Sequence, residues 1–207
     1  MLKIERDAVM NLDGAIRGAR NPMNSWAKSD SYYDENGKFV LGPVDMDFGH
    51  RLAVSGSDHR KFLRQVFVTV DITAPLYWWK EFDTYKVGTV ANSCSTMHKI
   101  HAKAFERDDF SHDRLDEGGL ALLDATVAYL EAERQKFIAD KEDRQPWHNM
   151  IQMLPSSYNQ MRTVTLNYEN LINIYYARRN HKLAEWHTLC DWILTRPCAK
   201  EWICIKE

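Results

Sequence analysis

Residues 64–82, RQVFVTVDITAPLYWWKEF, constrain the fold more than any other stretch of this chain. β-Branched residues and Phe alternate with polar ones, so Val66, Val68, Val70 and Ile72 share one face of a strand over 64–73. Ala74-Pro75 ends that strand, and a proline at a helix N-terminus sacrifices no hydrogen bond. Leu76 to Asp83 then reads as a helix. Its adjacent Trp78 and Trp79 point about 100° apart, so at least one belongs to a core or an oligomer interface. The following run, TYKVGTVANSCSTMH (84–98), is a polar loop. Small hydrogen-bonding groups at the end of a buried scaffold are where ligand sites usually sit.

The rest of the chain supplies helices around that strand. Residues 12–20 read as a short helix stopped by Asn21-Pro22, and Asn36-Gly37 marks a turn between Tyr33 and Phe39. A helix is expected from Met46 to Val54, ended by Ser55-Gly56-Ser57. Leu120, Leu123, Val127, Leu130 and Phe137 repeat at helical spacing within 118–140. Pro146 opens a further short helix that closes before Pro155. Residues 161–167 read as a second strand, in one sheet with the first, and helices follow over 168–179 and 182–195. Trp202, Ile203 and Ile205 give the tail apolar weight, so it packs. Without regular β-α alternation the expected class is α+β: one domain over 1–207, with a central, mostly antiparallel sheet flanked by helices.

The formal net charge of -2 offers no basis for a nucleic-acid or membrane partner, and no apolar run reaches the length of a spanning helix. The N-terminal residues lack the apolar core of a signal peptide. The four cysteines, Cys94, Cys190, Cys198 and Cys204, form no C-x-x-C pair and are too sparse for a disulfide framework. Reduced thiols and a cytoplasmic location are expected.

Candidate chemistry is thin on residue types alone. His98 and His101 are three apart, with His112 beyond, but no carboxylate or cysteine completes a zinc set at supporting spacing. Cys94 lies four residues before His98, although a nucleophilic pair needs contact in space, and a plain loop thiol is the simpler reading. The dinucleotide fingerprint and the P-loop are absent. Arg178 and Arg179 close a helix, where they suit the C-terminal dipole or, as planar donors, an anion or pyrimidine.

In order and spacing these features resemble the flavin-dependent thymidylate synthases. Such proteins have an N-terminal helix with an Arg, a Gly-His segment, and a strand with an Ala-Pro-like end. A helix then leads into R-H-R-x-x-S-x-N-E-x-S-x-R; a long helix, a Leu-Pro, a strand ending in Asn and an Asn-containing helix ending in Arg come after it. The chain shows Ala15–Arg20, Asp58-His59, the strand to Ala74-Pro75, Leu154-Pro155, Arg162–Asn167, Asn173 and Arg178. The resemblance spans most of the chain and is ungapped from Leu154 to Arg178. The signature itself departs: R-H-R becomes Thr84-Tyr85-Lys86. Asn92 and Ser95 match its later N-x-x-S with one residue inserted, and the next Arg becomes Met97.

The resemblance implies FAD held by His59, Asn167, Asn173, Tyr85 and Lys86. It implies a pyrimidine nucleotide, dUMP, bound by Arg178, Asn92, Ser95 and Arg162, with Arg178 and Ser95 nearest the chemistry. The implied reaction is reductive methylation of dUMP to dTMP, with methylenetetrahydrofolate and NADPH as co-substrates, in a homotetramer. The replaced arginines leave a second expectation: a nucleotide- or flavin-binding protein of the same fold without methyl transfer, or with an altered substrate. Lys86, Arg162 and Arg179 are the cations available to compensate.

Overall fold

The computed structural model describes residues 2–205. In chain order the elements are β1 (Lys3–Met10), α1 (Leu12–Arg20), β2 (Tyr32–Tyr33), β3 (Phe39–Val40), α2 (Pro43–Val54), β4 (Phe67–Pro75), α3 (Leu76–Phe82), β5 (Val90–Ser93), α4 (Glu117–Ala139), α5 (Gln145–Met153), β6 (Asn159–Asn167), α6 (Tyr168–Arg178) and α7 (Ala184–Leu194). The fold is α+β, as expected. A four-stranded sheet has the order β1-β4-β6-β5, and β2 pairs with β3 in a separate antiparallel hairpin. The side chains of Thr69 and Thr165 meet at 2.9 Å and those of Asp71 and Thr163 at 2.5 Å, so β4 and β6 run antiparallel. The alternation read from the sequence is real: Val66, Val68, Val70 and Ile72 are each 1% exposed or less.

The chain divides into two compact units. The first, the α4 unit, comprises Ile72–Thr84 and Asn92–Arg162, with Leu2 and Lys3. Its core gathers Ile100, Phe110, Leu123, Leu130, Phe137 and Met150 where α4 meets α5. Asp116 caps α4 by accepting the Gly119 N–H at 2.8 Å. That bond satisfies one of the orphan donors of the first turn. Trp78 and Trp79 are both fully buried; Trp78 stacks on Phe82, and the Trp79 indole donates to the Gln160 carbonyl at 2.9 Å. Both rings are therefore core, and the aromatic load here gives no ground for an oligomer interface.

The second, the α6 unit, comprises Ile4–Asp71, Tyr85–Ala91 and the chain from Thr163 onward. Tyr168, Trp186 and Trp202 are fully buried in it. The tail packs as the sequence suggests: the Trp202 indole donates to the Met46 carbonyl at 3.1 Å and its ring meets Phe62 edge-on. Gly49 makes room for that ring, since a Cβ there would stand 2.6 Å from it. A buried ion pair joins α1 to α2. Arg20 donates through Nε and NH2 to Asp45, at 2.7 and 2.5 Å, and reaches the carbonyls of Ser25 and Lys28 at 3.3 Å. The other Asp45 oxygen accepts from the hydroxyls of Ser29 and Ser31 and the Ser31 amide. Burial alone would raise the Asp45 carboxyl; the serine and arginine bonds outweigh it and leave it below the usual range.

Several boundaries differ from the sequence reading. α2 starts at Pro43 rather than Met46, because Asp30, far back in the chain, accepts the Val44 and Asp45 amides at 2.8 and 3.0 Å. β4 starts at Phe67 rather than at residue 64, because 60–65 coil into a 3-10 turn held by a two-pronged Arg60–Glu169 pair. β6 starts two residues earlier than expected, at Asn159. α7 is shorter at both ends than the expected 182–195. Four strands are new, of which β2 and β3 flank the turn expected at Asn36-Gly37. β1 is largely exposed, so its apolar residues carry no periodic signal. β5 lies inside the run read as a polar loop; all four of its residues are exposed.

Candidate functional site

In the α6 unit, β6 hands directly to α6. The Asn167 carbonyl oxygen of the side chain accepts the Asn170 amide at 3.0 Å, and the Asn170 side chain accepts the Asn167 amide at 3.2 Å. This reciprocal box satisfies two donors at the helix start. The Asn170 side-chain nitrogen also donates to the Val87 carbonyl at 2.7 Å. The next residue, Gly88, has φ 74, and a Cβ on it would lie 2.8 Å from Asn167 Nδ2. A glycine is required there on both counts. The loop that carries Tyr85 and Lys86 is thereby stitched to the N-terminus of α6.

At the other end of α6, Arg178 donates through Nε to the Tyr85 hydroxyl at 2.9 Å. Its guanidinium lies 4.6 Å from the Trp186 ring centre and 5.6 Å from that of Tyr85. Arg178 is thus held between aromatic walls from the loop and from α7, and a simple helix-end role does not account for that setting. Arg179 behaves differently. It is the C-cap of α6, with its guanidinium over Tyr176 and Tyr175. His59 and Asn173 are exposed and make no side-chain hydrogen bond among the described residues; Lys86 is exposed as well. An exposed set of N–H donors fits an anionic dinucleotide such as FAD in chemistry.

In the α4 unit, Arg162 has partners. Nε donates to Gln160 at 3.0 Å, NH1 pairs with Asp83 at 2.8 Å, and the guanidinium lies 4.3 Å from the Trp79 ring centre. Arg162, one of the cations available to compensate for the replaced arginines, is thus paired with Asp83. Asn92 is exposed on β5. The Ser95 hydroxyl accepts the amides of Met97 and His98 at 3.2 and 2.9 Å, closing a turn; its hydrogen is the donor it has left to offer. Cys94 is exposed, its amide bonded to the Met161 carbonyl and its carbonyl to the Gln160 side chain. No Cys94–His98 hydrogen bond occurs among the described residues. His101 packs edge-on against Phe137, and burial lowers its pKa. No cluster of described residues could hold a metal ion.

The structure therefore joins Arg178 with Tyr85, and Asn167 with the loop that carries Lys86. The reading of residue types passed over Trp186, Asn170 and Gln160. Asn167 and Asn170 stand three apart at a strand-to-helix junction, which is a legible capping signal. Trp186 carries no such signal, because only tertiary packing brings α7 under Arg178.

No family model matches the chain, and no curated protein matches it. Solved structures do. A crystal structure of thymidylate synthase X (ThyX) from Helicobacter pylori with FAD and dUMP is similar over 100% of both chains, with a TM-score of 0.69 and 16% identity. A second structure, of the flavin-dependent thymidylate synthase ThyX from the same organism complexed with FAD and dUMP, is similar over 97% of both chains, with a TM-score of 0.67 and 16% identity. The chain has the fold of those enzymes.

Proposed function

We propose that this chain, with the full-length fold of a flavin-dependent thymidylate synthase, is a divergent protein of that kind and binds FAD and a pyrimidine nucleotide. The observation that carries the reading is the end-to-end likeness to enzymes bound to FAD and dUMP. The aromatic seating of Arg178 supports it within this chain. In this reading 1–207 works as one domain in a cytoplasmic homotetramer. The reaction is dUMP to dTMP, with methylenetetrahydrofolate and NADPH as co-substrates. His59, Asn167, Asn173, Tyr85 and Lys86 hold the flavin; Arg178, Asn92, Ser95 and Arg162 hold the nucleotide.

When bound, the flavin supplies hydride transfer. The chain supplies orientation and charge. Arg178, fixed through Nε by Tyr85 and backed by Trp186, offers planar donors to a pyrimidine carbonyl and stabilises negative charge developing on it. Ser95, with its oxygen satisfied by two amides, acts as a donor. The Arg162 guanidinium, already neutralised by Asp83, contributes a hydrogen bond rather than net charge.

A second reading, binding without methyl transfer, is favoured by the same Arg162–Asp83 pair and by Thr84-Tyr85-Lys86 in place of R-H-R. Absorbance of the purified protein at about 450 nm, where an oxidised flavin absorbs, tests the flavin part of the first reading. Titration with dUMP and assay of dTMP formation then separates the two readings. A colourless protein that takes up no FAD on titration overturns the first reading and favours the second, with a nucleotide as its ligand.

A further inference from the structure

Within the α6 unit, α1 and the chain from Trp26 to Phe39 enclose a cavity of about 300 Å³. None of the residues expected to hold FAD or dUMP lines it. One wall is aromatic: Trp26 is 49% exposed, Tyr33 is 58% exposed, and Tyr33 meets Phe39 edge-on at 5.5 Å. Three aromatic rings kept at the surface of one concavity cost hydration free energy that a ligand recovers.

The wall is fixed before any ligand arrives. The Trp26 indole donates to Asn21 at 2.9 Å, and the Tyr33 hydroxyl donates to Asp13 at 2.6 Å. Behind them, the Arg20–Asp45 pair ties down the carbonyls of Ser25 and Lys28 and the hydroxyls of Ser29 and Ser31. A site ordered in advance spends little binding energy on ordering itself.

Charge selects among aromatic ligands. Asp13 is engaged by the Tyr33 hydroxyl, which holds its carboxyl below the usual range, with Arg17 adding to the effect. Arg20 is neutralised by Asp45. Arg17, exposed on α1 one turn beyond Asp13, makes no hydrogen bond or ion pair within 4 Å among the described residues. The lining thus presents stacking faces, the Arg17 guanidinium, and the Asp13 carboxylate, which stays ionised and has one oxygen taken by the Tyr33 hydroxyl. A cation would have to compete with the Tyr33 hydroxyl for Asp13 and would meet Arg17; an anion would gain a charge-assisted contact with Arg17, which no described residue engages.

We propose that this cavity is a binding site for a small planar aromatic acid, one or two fused rings bearing a carboxylate or phosphate, stacked on Trp26 and anchored by Arg17. The site is independent of the flavin and nucleotide reading. Three probes that share one ring and differ in charge test it by calorimetry on the full chain: indole-3-acetate, 3-methylindole and tryptamine. Indole-3-acetate should bind at one site per chain, about tenfold or more tighter than tryptamine, the size of one charge-assisted contact. Trp26→Ala should abolish measurable binding of all three. Arg17→Gln should weaken indole-3-acetate to the level of 3-methylindole and leave 3-methylindole unchanged. Both positions are exposed, and unchanged melting temperatures would show that the fold survives. Tryptamine binding as tightly as the acid, no binding of the acid, or Arg17→Gln without effect would overturn the proposal. FAD uptake and dUMP affinity should be the same in both variants, so failure here and failure of the proposed function are separate outcomes.

Discussion

Asp45→Asn tests how much of the α6 unit depends on one carboxylate. The side chains of Arg20 and Asp45 are 4% and 0% exposed, so neither charge is relieved by solvent. The asparagine keeps the shape but leaves the guanidinium without a counter-charge. Breaking a buried pair by removing one partner costs about 3–5 kcal/mol. The Ser25 and Lys28 carbonyls still accept from Arg20, and an asparagine oxygen can still accept from the serines. The expected loss is therefore in the lower part of that range, about 3–4 kcal/mol. For a chain of this length that corresponds to roughly 6–16 °C in melting temperature. Linkage gives the effect a pH signature. The folded-state pKa of Asp45 is lowered, so its contribution is fully present above the unfolded value of about 3.9 and is lost as pH falls through the folded value. Thermal melts of the two proteins at pH 7 and at steps below pH 4 should therefore show a wide gap that narrows with acid. A gap under about 2 °C at neutral pH, less than 1 kcal/mol on the same scale, would refute the reasoning. So would a gap that widens in acid.

Arg178→Lys should weaken dUMP binding by about 1.5–3 kcal/mol in calorimetry, whereas Arg179→Lys should change it little; equal, negligible effects would return Arg178 to a helix-end role. Tyr85→Phe removes the hydroxyl that takes the Arg178 Nε hydrogen, and should cost about 0.5–1.5 kcal/mol in the same assay, without a change in melting temperature beyond a few degrees. Gly49→Ala drives a methyl group into the buried Trp202 ring and should cost about 1–3 kcal/mol in urea denaturation; a neutral result would show that the tail can withdraw. The Glu131 carboxyl, bonded by Arg134, Gln135 and the Phe105 amide, should titrate at about 2 by NMR, and titration near the ordinary glutamate value would count against that network.

What the sequence made legible followed from periodicity and local punctuation. The β4 face, the Ala-Pro exit into α3, the long α4 and the strand-to-helix turn at Asn167 all declare themselves within a few residues. What it hid rests on partners distant in the chain. The start of α2 depends on Asp30, the 3-10 turn before β4 on Glu169, and the seating of Arg178 on Tyr85 and Trp186. Exposure hid the rest: β1 and β5 are strands by pairing, with little apolar alternation to mark them. Of the candidate residues, Arg178 and Asn167 gained settings that residue type alone could not supply. Arg162 acquired a partner, Asp83, that nothing local announces.

The pairing of β4 with β6 has a consequence for synthesis. Thr69 and its partner Thr165 are 96 residues apart. At about 5–20 residues per second, a ribosome needs roughly 5–20 s to deliver the second strand after the first. Until then Val68, Val70 and Ile72 belong to a strand with an open edge, and such an edge is a template for other chains. The newborn protein is most vulnerable to aggregation in that interval. A holding chaperone would have to engage the nascent chain there, before residue 167 emerges.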